Sequence, residues 1–318
     1  FHRNTSINRF KVSLMPLLDS QQVSILITTY NRKKELIFTL NTLRDVISPD
    51  GIYIWDDAST DGTFEYISKE FPEINMFQNT ENKGLIANRN HLMQAVTTEY
   101  VISLDDDANF LNPKELKKAV SFMRENCNCA VLSFRLFWDL NKPASQNTSE
   151  EVYQTGNFLG GAHLMRKKAW DNCIKSYPEW YHFYGEEDFA SMKLFKAGQS
   201  VFYFPKVLLH HRVSLRSRKK SAENTRLRTK WALQAAWSNY LIFYPKQKAW
   251  FKIMYSIKEQ VRLKFLKGDF SILRTLGSAG IALIQNRHYR KKLDLRFSNE
   301  ELQTYLSLPQ APVFWKPE

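Results

Sequence analysis

Tyr100-Val101-Ile102-Ser103-Leu104-Asp105-Asp106-Asp107 is an apolar run that ends in three consecutive carboxylates. Val, Ile and Leu closed by a polar break read as a short strand buried on both faces. Three adjacent anions repel one another there unless a cation joins them, and a divalent ion with oxygen ligands is the simplest one. The plain alternative is a strand end that also caps a helix starting near Pro113. If the chain stays extended through the triplet, Asp105 and Asp107 face one side and Asp106 the other. That reading favours Asp107 as a metal ligand and Asp105 as a contact to a sugar or ribose.

Working outward, Val23–Tyr30 is a β-branched strand, after which Asn31 is placed to cap a helix with Leu36, Leu40 and Leu43 on one face. A second strand, Gly51–Trp55, stops at Asp56-Asp57 and gives way to a helix over Phe64–Phe71. A third, Ile74–Phe77, leads to a helix from about Leu85 to Val96, and Asn112-Pro113 opens one carrying Leu116, Val120 and Met123. Such alternation predicts an α/β fold with a mostly parallel sheet and helices on both faces. Thr28-Thr29-Tyr30, Asp56-Asp57 and Asp105-Asp106-Asp107 then all lie just beyond carboxyl strand ends, the edge where open α/β sheets bind ligands. Three clusters on one edge are hard to explain as caps alone.

Each cluster suggests a chemistry. Carboxylates at a strand end, here Asp56 and Asp57, accept from a nucleobase N–H or from ribose hydroxyls. Around Asn82-Lys83-Gly84, glycine permits a close turn, and Arg89 with the helix N-terminus suits a diphosphate, although a surface helix often carries an arginine. Gly160-Gly161 lets backbone approach a ligand. In Trp180–Phe189 aromatic rings stand beside Glu187 and Asp188. Rings stack on sugars and raise a carboxylate's proton affinity, which suits a general base; the alternative is an acidic first turn of a helix over Phe189–Lys196. Val201–Leu209 reads as a strand pair that ends in His210, His211 and Arg212, a plausible set of metal and phosphate contacts.

Composition limits the partners. The 318 residues are 43% hydrophobic, enough for one large domain or a domain with an appendage. A formal charge of +13 implies anionic company. No apolar run reaches the roughly 18 residues of a membrane span. Phe1–Lys11 is polar, without the apolar core of a secretory leader, and three cysteines without zinc spacing read as inert thiols. Together these lead to the expectation of a cytoplasmic protein.

The ordered set from about residue 21 to residue 215 resembles the family 2 glycosyltransferases of GT-A fold, inverting enzymes that use nucleotide-diphosphate sugars. Val23–Arg32 resembles the family's opening strand, with Thr28, Tyr30 and Arg32 at its end. Asp56–Thr63 resembles its base-binding loop, Asp57 being the better candidate for the nucleobase, and Asn82, Gly84, Arg89 and Asn90 resemble its diphosphate-side helix. Asp105, Asp106 and Asp107 match the Asp-x-Asp metal motif. Glu187-Asp188 resembles the Glu-Asp motif whose aspartate is the base, although Lys193 then comes one residue early. His211 stands at the distance after Pro205 where relatives place a metal-binding histidine.

The resemblance implies a GT-A type, Rossmann-like sandwich over 21–215, with a divalent metal, Mn2+ or Mg2+, held by Asp107 and His211. The donor would be a nucleotide-diphosphate sugar, a UDP-sugar first among them. The acceptor would be a saccharide or lipid-linked hydroxyl, with Trp180, Tyr184, Gly160 and Gly161 on its side. Asp188, or Glu187, would take the acceptor proton in a single displacement.

Residues 1–20 remain as an N-terminal extension, and 216–318 as a basic, aromatic-rich helical region. Arg216, Arg218, Lys219 and Lys220 could close over a diphosphate. Trp231, Trp237, Tyr240, Trp250, Phe251 and Tyr255 among cations suit either helices lying on an anionic membrane, peripheral on the cytoplasmic face, or helices packed on the catalytic domain with a solvated basic face. Two rival readings are a non-catalytic polyanion- or nucleic-acid-binding protein and a metal-dependent nucleotidyltransferase. The first leaves the strand-end acids unexplained and no nucleic-acid partner is expected; the second lacks a glycine-rich nucleotide signature.

Overall fold

The run Val23–Thr29 forms β1 near the middle of the computed structural model, which describes residues 16–213, 222–293 and 295–315. Ile25 and Ile27 join one apolar core and Leu26 the other, as a strand covered on both faces requires. Helix α1 (Lys33–Leu43) turns Leu36, Leu40 and Leu43 inward. There follow β2 (Ile52–Asp56), α2 (Thr63–Glu70), β3 (Asn75–Gln78), α3 (Leu85–Ala95) and β4 (Tyr100–Asp105). β1 pairs in parallel with β2 and β4, and β2 with β3, so their carboxyl ends share one edge.

Beyond β4 the sheet is mixed. β5 (Ala108–Phe110), α4 (Glu115–Glu125), β6 (Cys129–Trp138), β7 (Tyr153–Thr155) and β8 (Ala162–Arg166) come next. A short α5 (Lys167–Ala169), α6 (Glu186–Lys196) and β9 (Ser200–His211) complete this part. The order is β3-β2-β1-β4-β8-β6-β9-β5. β8 is antiparallel to both β4 and β6 because the chain returns to it without a crossover helix. The expected strand pair around Pro205 is one strand, β9. Its parallel register with β6 jumps between the pairs Phe134↔Phe204 and Arg135↔Leu208, so Pro205 sits in a bulge where its missing N–H costs no ladder bond.

Two expected caps do other work. Asn31 does not cap α1; at φ 53° its Oδ1 accepts from the Thr60 N–H at 2.7 Å and holds the β2–α2 loop. Asn112 does not cap α4; its side chain donates to the Lys206 carbonyl and accepts from the Leu208 N–H, pinning β9 at the bulge. Both amides found long-range backbone partners that local spacing does not reveal.

The C-terminal part contains α7 (Ala222–Phe243), α8 (Lys246–Leu263), α9 (Ser271–Gln285), α10 (Arg287–Lys291), α11 (Asn299–Ser307) and β10 (Val313–Trp315). α11 begins with a capping box, Ser298 with Glu301. The expected boundary at 215/216 does not close the catalytic unit. β10 pairs with β6 beyond the reach of β8, and Phe297, Leu302 and Tyr305 share a core with Phe189, Phe243 and Tyr244. Of the expected N-terminal extension, Leu17 and Leu18 donate backbone bonds to Asp45 and Val46, and residues 1–15 lie outside the described ones, as does the basic run 214–221. No helix among the described residues is long and apolar enough to cross a membrane. The three cysteines are free thiols.

Candidate active site

The strand ends β1, β2 and β4 open on a cleft of about 610 Å³. Its floor is made where β4 ends. The chain turns through Asp106 and Asp107 and leaves as β5, which pairs antiparallel with the end of β9 and sets Ala108 opposite His211. β4 and β9 are separated by β8 and β6 in the sheet, so β5 is what carries His211 to the aspartates. His211 Nε2 lies 2.9 Å from Asp107 and 3.6 Å from Asp105. Asp105, Asp107 and His211 each offer a ligand atom within 4.8 Å of the others. His210 is turned away, its Nε2 at 2.8 Å from the Asp139 carbonyl.

Two carboxylate oxygens and one imidazole nitrogen suit a hard divalent ion such as Mn2+ or Mg2+. The buried His211 Nδ1 has no hydrogen-bond partner among the described residues, and a Cβ on Gly161 would stand 3.3 Å from Asp105 and 3.5 Å from that nitrogen. The residues therefore fit a metal, with Asp105 beside the pair Asp107 and His211 instead of reserved for the sugar. Asp106 points elsewhere: it accepts from Thr29 Oγ1 at 2.9 Å and pairs with Arg32 Nε at 3.0 Å. Burial, against the opposing charge of Arg32, and repulsion from Asp107 push its carboxyl up to about 8. Arg32 also reaches Asp107, at 2.5 Å.

The second cluster surrounds Arg89. It is buried and does not face an open diphosphate site as the sequence suggested. Nη1 meets Glu186 at 2.7 Å and Glu187 at 3.2 Å; Nη2 meets Asp105 at 3.2 Å and the Gly160 carbonyl at 3.1 Å. Burial pulls the guanidinium down, but the charges of Glu186, Asp105 and Glu187 outweigh it and hold it above its ordinary value. Glu186, fully buried beside Glu187, is pushed up by desolvation. A Cβ at Gly160 would stand 1.8 Å from Glu187 Oε1, so a side chain there would displace the Glu187 carboxylate from Arg89.

Asp188 lies on a different side of α6. Its charge is felt by Tyr181, Tyr240, Tyr244 and Tyr305; the residue as a whole is exposed to solvent, while its carboxyl, packed toward these rings, is pushed up to about 6 by desolvation and then by repulsion from Glu187. Asp188 has the raised proton affinity, whereas Glu187 shares Arg89 with Asp105. Reading the acidic motif one residue earlier, as Glu186-Glu187, also brings Lys193 to its family spacing. That was the signal available in the sequence.

At the other end of the cleft, Asp57 accepts from the N–H groups of Lys83 at 2.7 Å and Gly84 at 2.8 Å and from Asn79 at 2.8 Å. Gly84, at φ +90°, allows that turn into α3. Asp56 is not at the cleft: it is buried and held by Ser59 and Gln78. Thr28, Tyr30, Arg32, Asn82 and Gly84 line the cleft, as the sequence suggested. Asn90 instead bonds Tyr177 and Glu179 as a structural tie. Trp180 stacks on Tyr289 with an interplanar angle of 6°, and its carbonyl accepts from Gln234; it does not line the cleft. The Tyr184 hydroxyl accepts from Arg228.

Sequence reasoning missed the wall that faces the Asp57 loop. His182 and Phe183 come from a segment where His182, Tyr184 and Gly185 all have positive φ, and Arg228 and Trp231 come from α7. Backbone strain of this kind persists where the surroundings impose it, often at functional sites. In the sequence Trp231 belongs to a basic, aromatic helix, and helical spacing does not tell a cleft wall from a lipid face.

Residues 24–180 match the family described as glycosyl transferase family 2. A candidate glycosyltransferase of Bacillus subtilis (strain 168), EpsE, is 31% identical over 117 residues, which are 35% of this chain and 41% of that protein. This chain therefore spans less than half the length of that relative. Residues 1–349 of S. aureus TarS, crystallised with UDP-GlcNAc, superpose with a TM-score of 0.54 at 18% identity, over 89% of this chain and 90% of that one. The mannosyltransferase PcManGT of Pyrobaculum calidifontis, in complex with GDP-Man and Mn2+, gives 0.54 at 16%, over 93% and 81%. These two likenesses establish a shared GT-A fold. Over residues 24–180, just under half of its length, this chain is similar to glycosyl transferase family 2.

Proposed function

We propose that the chain moves a sugar from a nucleotide-diphosphate sugar to a hydroxyl of a saccharide or lipid-linked acceptor, in one displacement with inversion. The observation that carries this reading is the meeting of Asp105, Asp107 and His211 with Glu187 through the single guanidinium of Arg89, in a cleft whose far end is the Asp57 loop. Asp57 uses Oδ1 for Asn79 and Lys83 and Oδ2 for Gly84, which leaves lone-pair capacity on Oδ2 for a nucleobase N–H. The amino end of α3 suits the diphosphate. Mn2+ or Mg2+ held by Asp105, Asp107 and His211 would offset the charge of the departing diphosphate.

The chain's own residues then divide the work. Glu187, oriented by Arg89, takes the proton of the acceptor hydroxyl, and the oxygen attacks the anomeric carbon opposite the diphosphate. Positive charge at that carbon is met by the acidic floor, and no covalent sugar–enzyme bond is needed. Phe183, His182 and Trp231 form the wall against which sugar faces can stack.

A panel of UDP-, GDP- and dTDP-sugars, incubated with Mn2+ and read by mass spectrometry for free sugar and nucleoside diphosphate, tests the reading. The expected outcome is slow hydrolysis of one donor class, UDP-sugars first, that stops with EDTA. No turnover of any donor, together with salt-sensitive and metal-independent binding of polynucleotide, would favour the polyanion-binding alternative.

A further inference from the structure

The C-terminal helices divide between the two roles open to them in the sequence. On α7, Leu233, Trp237, Ile242 and Phe243 are buried against the rest of the molecule. On α8 only Ala249 and Ile253 are buried, while Trp250, Phe251, Met254 and Tyr255 are 57, 68, 60 and 53% exposed. With 100° per residue, these four lie on the side of the helix away from Ala249 and Ile253. Further along, Leu266 and Phe270 in the α8–α9 connection are 71 and 67% exposed. Scattered apolar residues are normal on a surface, but eleven of the seventeen large exposed ones among the described residues fall between Trp250 and Tyr289.

Charge follows the same stretch. Residues 225–293 hold fifteen Lys and Arg against two acids, Glu259 and Asp269, and so carry the whole +13 of the chain. Lys246, Lys248, Lys252 and Lys258 flank the α8 aromatics, with no acidic residue between Lys246 and Lys258. Glu259 is already paired with Arg262, and Asp269 accepts from Ser271. A second protein copy would bring the same cations against these, and an acidic protein partner would need few exposed rings. An anionic lipid surface takes both features at once: lysines at phosphate level and Trp, Tyr and Phe in the interface.

We infer that the outer face of α8, with the α8–α9 connection, docks on an anionic bilayer surface and holds the chain there peripherally. This goes beyond the transfer reading and does not depend on it.

Flotation of the whole chain with vesicles of phosphatidylcholine alone, or of phosphatidylcholine with about 30 mol% phosphatidylglycerol, decides the matter. The chain should float with the anionic vesicles and not with the neutral ones, and release as salt rises. Lys248→Glu/Lys252→Glu/Lys258→Glu should lower partitioning at least ~10-fold, consistent with roughly 1 kcal/mol per cation near such a surface. Trp250→Ser/Phe251→Ser should lower it as well, with donor hydrolysis and circular dichroism unchanged. Equal flotation with both vesicle types, or full flotation by either variant, overturns the inference. So does a concentration-dependent dimer that Phe251→Ser dissolves in the absence of lipid. Loss of donor turnover with normal flotation would instead count against the transfer reading alone.

Discussion

At the carboxyl edge of the sheet, Asp105, Glu186 and Glu187 share Arg89, and Asp106 and Asp107 share Arg32. On the outer face of α8, four lysines form no salt bridge among the described residues and stand beside exposed rings. The first region has its counter-charges built in and its geometry fixed by burial. The second leaves its charges to be met by something outside the chain. A group that is paired and buried has a set position, which chemistry requires; a solvated lysine on a flexible stem adapts to a fluid surface but positions nothing.

The comparison breaks most sharply at the floor of the cleft. Asp107→Ala should lower turnover by about 100- to 1,000-fold and abolish Mn2+ binding measured by calorimetry, while lipid flotation stays intact. A variant that keeps both turnover and Mn2+ binding would remove the metal assignment. Close behind comes the pair of acids on α6. Glu187→Gln should reduce kcat about 100- to 10,000-fold with little change in donor KM, whereas Asp188→Asn should cost no more than about tenfold. The reverse order would restore Asp188 as the base and require α6 to turn on binding.

Arg89→Met probes the same region through stability. It leaves Glu186 buried and unpaired, and breaking a buried pair in this way costs about 3–5 kcal/mol. The denaturant midpoint should fall accordingly. Lys252→Glu on α8, by contrast, should leave that midpoint within about 0.5 kcal/mol, as surface changes do. A small effect at Arg89 would mean that the acids protonate to compensate, and the contrast between the two regions would be weaker than the geometry suggests.

Much of this was legible in the sequence because strand ends are marked by composition. Val23–Thr29, Ile52–Asp56 and Tyr100–Asp105 announce themselves by β-branched runs that stop at polar residues, and parallel pairing then puts their ends on one edge. The same logic put His210, His211 and Arg212 together at the end of β9; the preference for His211 came from the family resemblance. What stayed hidden depends on contacts far apart in the chain. β10 pairs with β6, about 180 residues upstream; no local pattern points to that partner. Glu187 and Asp188 differ by 100° around one helix, so a motif read one residue later selects a different face. Arg89 carries the side chain suited to a phosphate, but three acids from two distant elements had already claimed it.

The smallest effect concerns His163 on β8, which lies behind Arg89 and packs against Phe158 with ring centroids 4.5 Å apart. Burial, and then the charge of Arg89, push it down to about 3, so it is neutral in the folded chain at any ordinary pH. The unfolded chain takes up this proton near the ordinary histidine value of about 6.5. Below that pH the unfolded state binds the extra proton, and stability falls as pH drops from about 6.5 toward 3, by at most about 1.4 kcal/mol per pH unit. His163→Leu should flatten that part of the stability–pH curve. Asp106 and Asp188, whose carboxyls are pushed up to about 8 and about 6, contribute with the opposite sign over part of the same range, so it is the difference between the His163→Leu curve and that of the parent chain that isolates the histidine.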